Sequence, residues 1–274
     1  MILKNKVNII LKSKNSNKKR KQREYYKMIT IIYEDKDLLV CFKPPGIPTQ
    51  TASLSTPDVV SMVKTHLVKM GASKDPYLGL IHRLDQPVEG VLVFAKTPKA
   101  ASNLTAQLHK GTLNKQYYAL CLGKKVSENA SQDTDKMAVE GDLVDYLYKD
   151  GMVGKVVSKD HKEAKEARLH YKRMDRTPFT EERLEGLGIS EEQIALFDIT
   201  IETGRFHQIR LQMSHAGLPL LGDSKYGTEE SINVSKELGI RNVCLYAYQV
   251  VFKHPVTGKK MEYTIAQEYP YIKA

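Results

Sequence analysis

The sequence predicts an α+β domain built on a mixed, largely antiparallel sheet. Three observations lead there. Many short runs rich in β-branched and aromatic residues are interspersed with only a few helical patterns, and the two do not alternate in strict βαβ order. No compositional break or internal repeat interrupts residues 28–274. Of the 274 residues, 41% are apolar and 27% charged. Those are proportions of a soluble globular chain, long enough to bury a large core in one large domain or two smaller ones.

Taken in order, "MITIIYEDKDLLVCFKPPG" (28–46) reads as a strand, a polar turn at Glu34–Asp37 and a second strand. Pro44, Pro45, Gly46 and Pro48 stop it with a rigid loop. "TPDVVSMVKTHLVKM" (56–70) places Val59, Val60, Met62, Val63 and Leu67 near helical spacing, with Thr56 as N-cap, Pro57 in the first turn and Gly71 at the stop. An apolar run, Val91 to Ala95, follows the segment "LIHRLDQPVEG" (80–90). The next helix has Thr97 to cap it and Pro98 at its first position. Ala101, Leu104, Ala106 and Leu108 form its apolar face, and Gly111 is its end.

"KQYYALCLG" (115–123) is a strand, 124–138 a polar loop, and 140–175 a series of short strands with charged turns. Residues 176–195 are acidic and helix-prone and read as a surface excursion. "LFDITIETG" (196–204) alternates Phe197, Ile199 and Ile201 as a strand does. "RFHQIRLQMSHAG" (205–217) reads as a helix stopped by Gly217, with Pro219 beyond. Residues 242–266 read as two strands joined by a Pro/Gly turn.

The formal net charge is +10, but residues 1–27 carry ten Lys or Arg against Glu24 alone, a net of +9. About +1 remains for 28–274, so a nucleic-acid site there must be a local patch. The basic stretch 1–27 reads as a disordered tail, either an arm for phosphate backbones or an extension ahead of a start at Met28. Its apolar cluster is too short for a signal-peptide core of ~7–15 residues. No run approaches the ~18–20 residues of a membrane span. Cys41, Cys121 and Cys244 are few, odd in number and far apart. That fits a reducing compartment and argues against a disulfide framework or zinc knuckle.

Three constellations could carry chemistry. Asp85 follows His82 and Arg83 in a turn-like segment with Pro87 and Gly90, where a buried strand meets a loop. An ordinary Arg83–Asp85 ion pair is the plain structural account, and a reactive carboxylate the other. Tyr117 and Tyr118 face opposite sides of one strand, so one can be core while the other lines a cleft. Arg205, His207 and Arg210 fall at the start of the helix after Thr203-Gly204, with His207 and Arg210 on one face. Cations avoid a helix N-terminus, so a bound anion or a buried carboxylate is expected to hold them there.

Other chemistries fail on spacing. "HRLD" lacks the Asn and the glycine-rich loop of a kinase, and no Walker pattern, G-x-S-x-G elbow or H-E-x-x-H helix is present. The histidines have no metal-ligand spacing, and neither a metal nor a cofactor is expected. A nucleoside hydrolase would need a second carboxylate that is not evident.

"HRLDQPVEGVLVFAKT", "NKQYYALCLG", "ETGRFHQIRLQMSHAGLPLLGDSKYG" and "LYAYQVVFKHPVTGKKMEYTIA" resemble, in that order, the successive motifs of the RluA family of RNA pseudouridine synthases. "VCFKPPGIPTQ" resembles the family's opening Lys-Pro-x-Gly loop. The resemblance covers nearly all of 28–274 and implies the pseudouridine synthase fold, a central mixed sheet in two subdomains with a cleft between them. It implies one catalytic domain over 28–274 that isomerises uridine in ribosomal or transfer RNA, acting as a cytoplasmic monomer with no membrane partner. A catalytically inactive RNA-binding protein of the same fold is the alternative.

By the same resemblance Asp85 is the catalytic aspartate and Tyr117 the active-site tyrosine. Arg210 is the arginine paired with the aspartate, and Arg83 the residue that fills the gap left by a flipped base. Lys43, Arg205, His207 and Lys225 are the remaining expected RNA contacts. One departure stands out: Val88 and Glu89 occupy positions where the family usually has two hydroxyl residues.

Overall fold

β2 (Leu38–Lys43) and β4 (Glu89–Ala95) are buried along their whole length, which explains why neither alternates polar and apolar residues. They pair antiparallel, with Cys41 opposite Leu92 and Lys43 opposite Gly90. β1 (Thr30–Glu34) flanks β2, the short β3 (Gly79–Leu80) pairs with β4, and β10 (Leu245–Lys253) pairs with β11 (Lys260–Thr264). The computed structural model describes residues 29–51, 53, 55–123, 139–175, 178–190 and 193–265. They form two units, one of 29–115 with 247–265 and one of 116–246. The basic tail and the polar loop at 124–138 lie outside the described residues.

In the first unit, α1 (Val59–Lys69) buries Val59, Met62, Val63 and Leu67. Its cap differs from expectation. Asp58, not Thr56, accepts from the Ser61 N–H and completes a reciprocal capping box, so Pro57 lies outside the helix. α2 (Pro98–His109) follows its sequence signals, with Thr97 accepting from the Ala100 N–H and Gly111 at φ 66° just past the end.

The second unit is a sheet in the order β5 (Asn114–Leu122), β9 (Ile194–Ile201), β8 (Lys165–Arg173), β6 (Glu140–Asp150), β7 (Val153–Val157). Every pairing described within either unit is antiparallel, and the α+β expectation holds. The segment expected as a surface excursion is corrected by the structure. Among the described residues there, α3 (Glu181–Glu185) is the one α-helix, and Phe179, Leu184 and Ile189 plug a core that also holds Leu120, Leu196, Leu221 and Leu238. Acidic composition hid three apolar anchors. α4 (Gln208–His215) and α5 (Glu229–Glu237) complete the unit.

Candidate active site

Asp85 stands half-buried on a loop that side-chain and backbone hydrogen bonds hold in place. Its own carbonyl accepts from the Val88 N–H at 3.0 Å, closing the turn through Gln86 and Pro87. Thr49, 2% exposed, donates to the Leu84 carbonyl at 2.7 Å and accepts from the Leu84 N–H at 3.1 Å. The Gly46 N–H donates to the Gln86 carbonyl at 2.8 Å, and the Gln86 amide returns a bond to the Gly46 carbonyl at 3.1 Å.

Lys43, fully buried, donates to the carbonyls of Pro44, Gln86 and Val88 at 3.0, 3.1 and 2.5 Å. The Lys-Pro-x-Gly loop therefore clamps the carboxylate-bearing loop from outside. This corrects the expectation that Lys43 contacts a phosphate, because its ammonium is sealed from solvent and spends its donors on backbone. His82 anchors the other flank: its Nε2 accepts from the Val93 N–H of β4 at 3.3 Å. Burial, and then the Lys115 ammonium, push its pKa down to about 3, so it is neutral. Arg83 points out of this framework and is exposed.

β4 begins where backbones meet. Gly90 has φ 137°, and a Cβ there would collide with the backbone of Ala247. Glycine at this position is a steric requirement.

In the second unit, Tyr117 lies on β5 opposite Ile199 and is 5% exposed, while Tyr118 packs partly against the core. Arg210 is on α4 and buried. Its Nε and Nη2 donate to Asp223 at 2.6 and 2.7 Å, with both side chains almost sealed from solvent. Sequence reasoning missed Asp223, although it stands in the quoted "GDSKYG". Burial alone would raise its carboxyl, but the Arg210 bonds and the N–H groups of Lys225 and Tyr226 hold it below the usual range. A bidentate pair of this kind fixes the plane of the guanidinium. Asp223 engages two of its five donors.

The helix start also differs from expectation. α4 begins at Gln208, and His207 precedes it in the left-handed region at φ 54° and ψ 30°. His207 and Arg210 thus do not share a helical face. Tyr226 joins them instead: its hydroxyl lies 2.6 Å from His207 Nδ1, and its ring lies under the Arg210 guanidinium at 4.9 Å. That hydroxyl also accepts from the Gly154 N–H at 2.9 Å. Gln208 orders the turn by accepting from the Thr203 hydroxyl and the Arg205 N–H. Arg205 and Lys225 are exposed, with Arg205 Nε on the Glu166 carbonyl and Lys225 Nζ on the Met152 carbonyl.

Asp35, Asp37 and His254 bring potential metal-binding atoms within 4.8 Å of one another. The donors do not suit a cation. His254 Nδ1 accepts from the N–H groups of Val256 and Thr257, so Nε2 carries the proton and gives it to Asp35.

Comparison with known proteins gives these residues a family. The profile of the family described as RNA pseudouridylate synthase matches residues 37–215. The ribosomal large subunit pseudouridine synthase C of Buchnera aphidicola is 30% identical over 247 residues, covering 87% of this chain and 68% of that protein. The tRNA pseudouridine synthase C of Yersinia pestis is 26% identical over 250 residues, covering 89% and 88%. Against ribosomal enzymes such as synthase D of Pasteurella multocida, the chain spans about two thirds of the relative, 66% in that case. The solved structure of human RNA pseudouridylate synthase domain containing 4 shares the fold, with a TM-score of 0.62 at 23% identity over 86% of this chain and 87% of that one. This chain belongs to the RNA pseudouridine synthases, in the RluA family.

Proposed function

We propose that this protein converts selected uridines of ribosomal or transfer RNA to pseudouridine, with Asp85 as the catalytic carboxylate. The observation that carries the reading is the braced loop: an enzyme of this family needs one carboxylate held still, and Lys43, Gly46 and Thr49 fix the backbone on both sides of Asp85. Asp85 acts at the ribose of an extruded nucleotide, as nucleophile or by taking a ribose proton. Arg210, oriented by Asp223, is assigned to the same reaction as the arginine of the family's motif. Tyr117 stacks on the uracil and removes the proton from its carbon 5.

Extruding a base costs a few kcal/mol, and the exposed Arg83 offsets part of that by stacking in the vacancy. Arg205, His207 and Lys225 form the local basic patch that a nearly neutral body requires, and their phosphate contacts position the RNA. The protein works as a cytoplasmic monomer. Among the described residues no helix is long and apolar enough to cross a membrane.

Mapping pseudouridine in total RNA from cells with and without the gene tests the reading. Loss of one or a few sites, restored by the wild-type gene, is the expected result. Identical maps would overturn it in favour of an RNA-binding protein without catalysis.

A further inference from the structure

Tyr226 is only half-buried, yet backbone and side chain are both tied down. Its N–H donates to Asp223 Oδ1 at 3.1 Å, the oxygen that also accepts from Arg210 Nη2. Its carbonyl accepts from the Ser214 hydroxyl of α4 at 2.6 Å. Its hydroxyl accepts from the Gly154 N–H of β7 and shares a 2.6 Å hydrogen bond with His207 Nδ1. Its ring packs against the small cluster of Leu147, Ala167 and Leu211. Packing alone would need neither hydroxyl contact, because phenylalanine would fill the same space.

The hydroxyl joins two elements that are distant in the chain. Gly154 belongs to the β6–β7 hairpin, seated so closely on α4 that a Cβ there would run into Leu211. Lys149 of the same hairpin lies 4.9 Å from the centre of the Phe206 ring, which stacks on His207. His207 is, among the described residues, the one non-glycine with a positive φ. Residues with a side chain avoid that region unless their surroundings hold them there. α4 starts at the next residue and carries Arg210, whose guanidinium lies over the Tyr226 ring.

The geometry points to Tyr226 as a positioning residue: its hydroxyl locks His207 and the β6–β7 hairpin onto the start of α4, and its ring supports the Arg210 guanidinium. The inference rests on the function proposed above, in which Arg210 takes part in the reaction. Asp223 fixes the plane of that guanidinium, and Tyr226 fixes the helix entry that delivers it.

Tyr226→Phe keeps the ring and deletes the hydroxyl. Turnover should fall about tenfold while KM for RNA stays within about twofold of wild type, the split expected when a transition-state group is misplaced. His207→Asn breaks the same bond from the other side, and Asn tolerates the left-handed backbone. Its turnover should fall by a similar factor. In the double variant the two losses should not multiply, because one bond cannot be broken twice. Nitrogen NMR of histidine-labelled full-length protein, assigned with His207→Asn, should show the His207 ring signals moved in Tyr226→Phe.

Turnover of Tyr226→Phe within about twofold of wild type would overturn the proposal, as would a loss carried wholly by KM. Multiplying losses in the double variant, or unmoved His207 signals, would overturn it too. If Tyr226→Phe gives no cooperative melting curve, His207→Asn decides alone, and unchanged turnover there overturns the proposal. If the wild type forms no pseudouridine on any RNA, the function reading fails, and the His207 ring signals still decide whether the hydroxyl holds that residue.

Discussion

Asp223→Asn removes the charge that holds Arg210 while keeping the size of the side chain. Both side chains of the pair are at least 95% buried, with exposures of 5% and 1%, and the two bonds are short. Stranding one member of a buried pair costs about 3–5 kcal/mol. Asn can still accept from the N–H groups of Lys225 and Tyr226, which places the expected loss near the lower end, about 3 kcal/mol. At roughly 2–4 °C per kcal/mol for a chain of this size, the melting temperature should fall by about 6–12 °C.

Scanning calorimetry at pH 7 measures this, with Arg210→Met and the double variant completing a cycle. The double variant should be less destabilised than the sum of the singles, because neither charge is then left alone. The Asp223 carboxyl is held below its ordinary value, so its contribution is complete above the ordinary carboxylate range and is lost as pH falls through the folded value. The gap between wild type and Asp223→Asn should stay constant down to about pH 5 and narrow below about pH 4. A fall of under about 2 °C, or strict additivity in the cycle, would refute the reasoning.

Other substitutions probe the braced loop. Thr49→Val removes both bonds to Leu84 from a buried site, which should cost about 1–3 kcal/mol in urea denaturation. Its turnover should drop roughly tenfold or more as Asp85 shifts; unchanged turnover would show that the clamp is not needed. Gly90→Ala forces a Cβ into the backbone of Ala247 and should give little folded protein, so a normal melting curve from that variant would contradict the packing. Arg83→Ala changes an exposed side chain and should alter stability by less than about 0.5 kcal/mol. It should slow modification of a duplex-embedded uridine more than one in unstructured RNA, and equal effects on the two substrates would remove the gap-filling role.

Elements whose signals are local were legible in the sequence. Thr97-Pro98 and Gly111 define α2 because cap, first turn and stop are all chemical properties of neighbouring residues. The α+β class followed from the same kind of local reading. Long-range satisfaction was not legible. Lys43 reads as a surface cation because nothing near it in the chain supplies three carbonyls; two of them come from more than 40 residues away.

The rule that cations need a reason to stand near a helix start left a bound anion or a buried carboxylate as the holder, and for Arg210 Asp223 is the latter. Its position 13 residues past Arg210 carries no periodic signal. His207 was misplaced on the helix because a left-handed residue before a helix leaves no mark in hydrophobic spacing. The 176–195 segment was misread for a simpler reason. Within it Glu181, Glu182 and Glu185 are exposed while Phe179, Leu184 and Ile189 are buried anchors, and composition weighs both alike.

Asp85→Asn on full-length protein, assayed for pseudouridine formation and for RNA binding in parallel, tests the central claim most directly. The substitution preserves shape but removes the charged oxygen, so turnover should disappear while affinity for RNA and the melting temperature stay near wild type. A variant that still turns over substrate at a substantial fraction of the wild-type rate would contradict the assignment of Asp85 as the catalytic group.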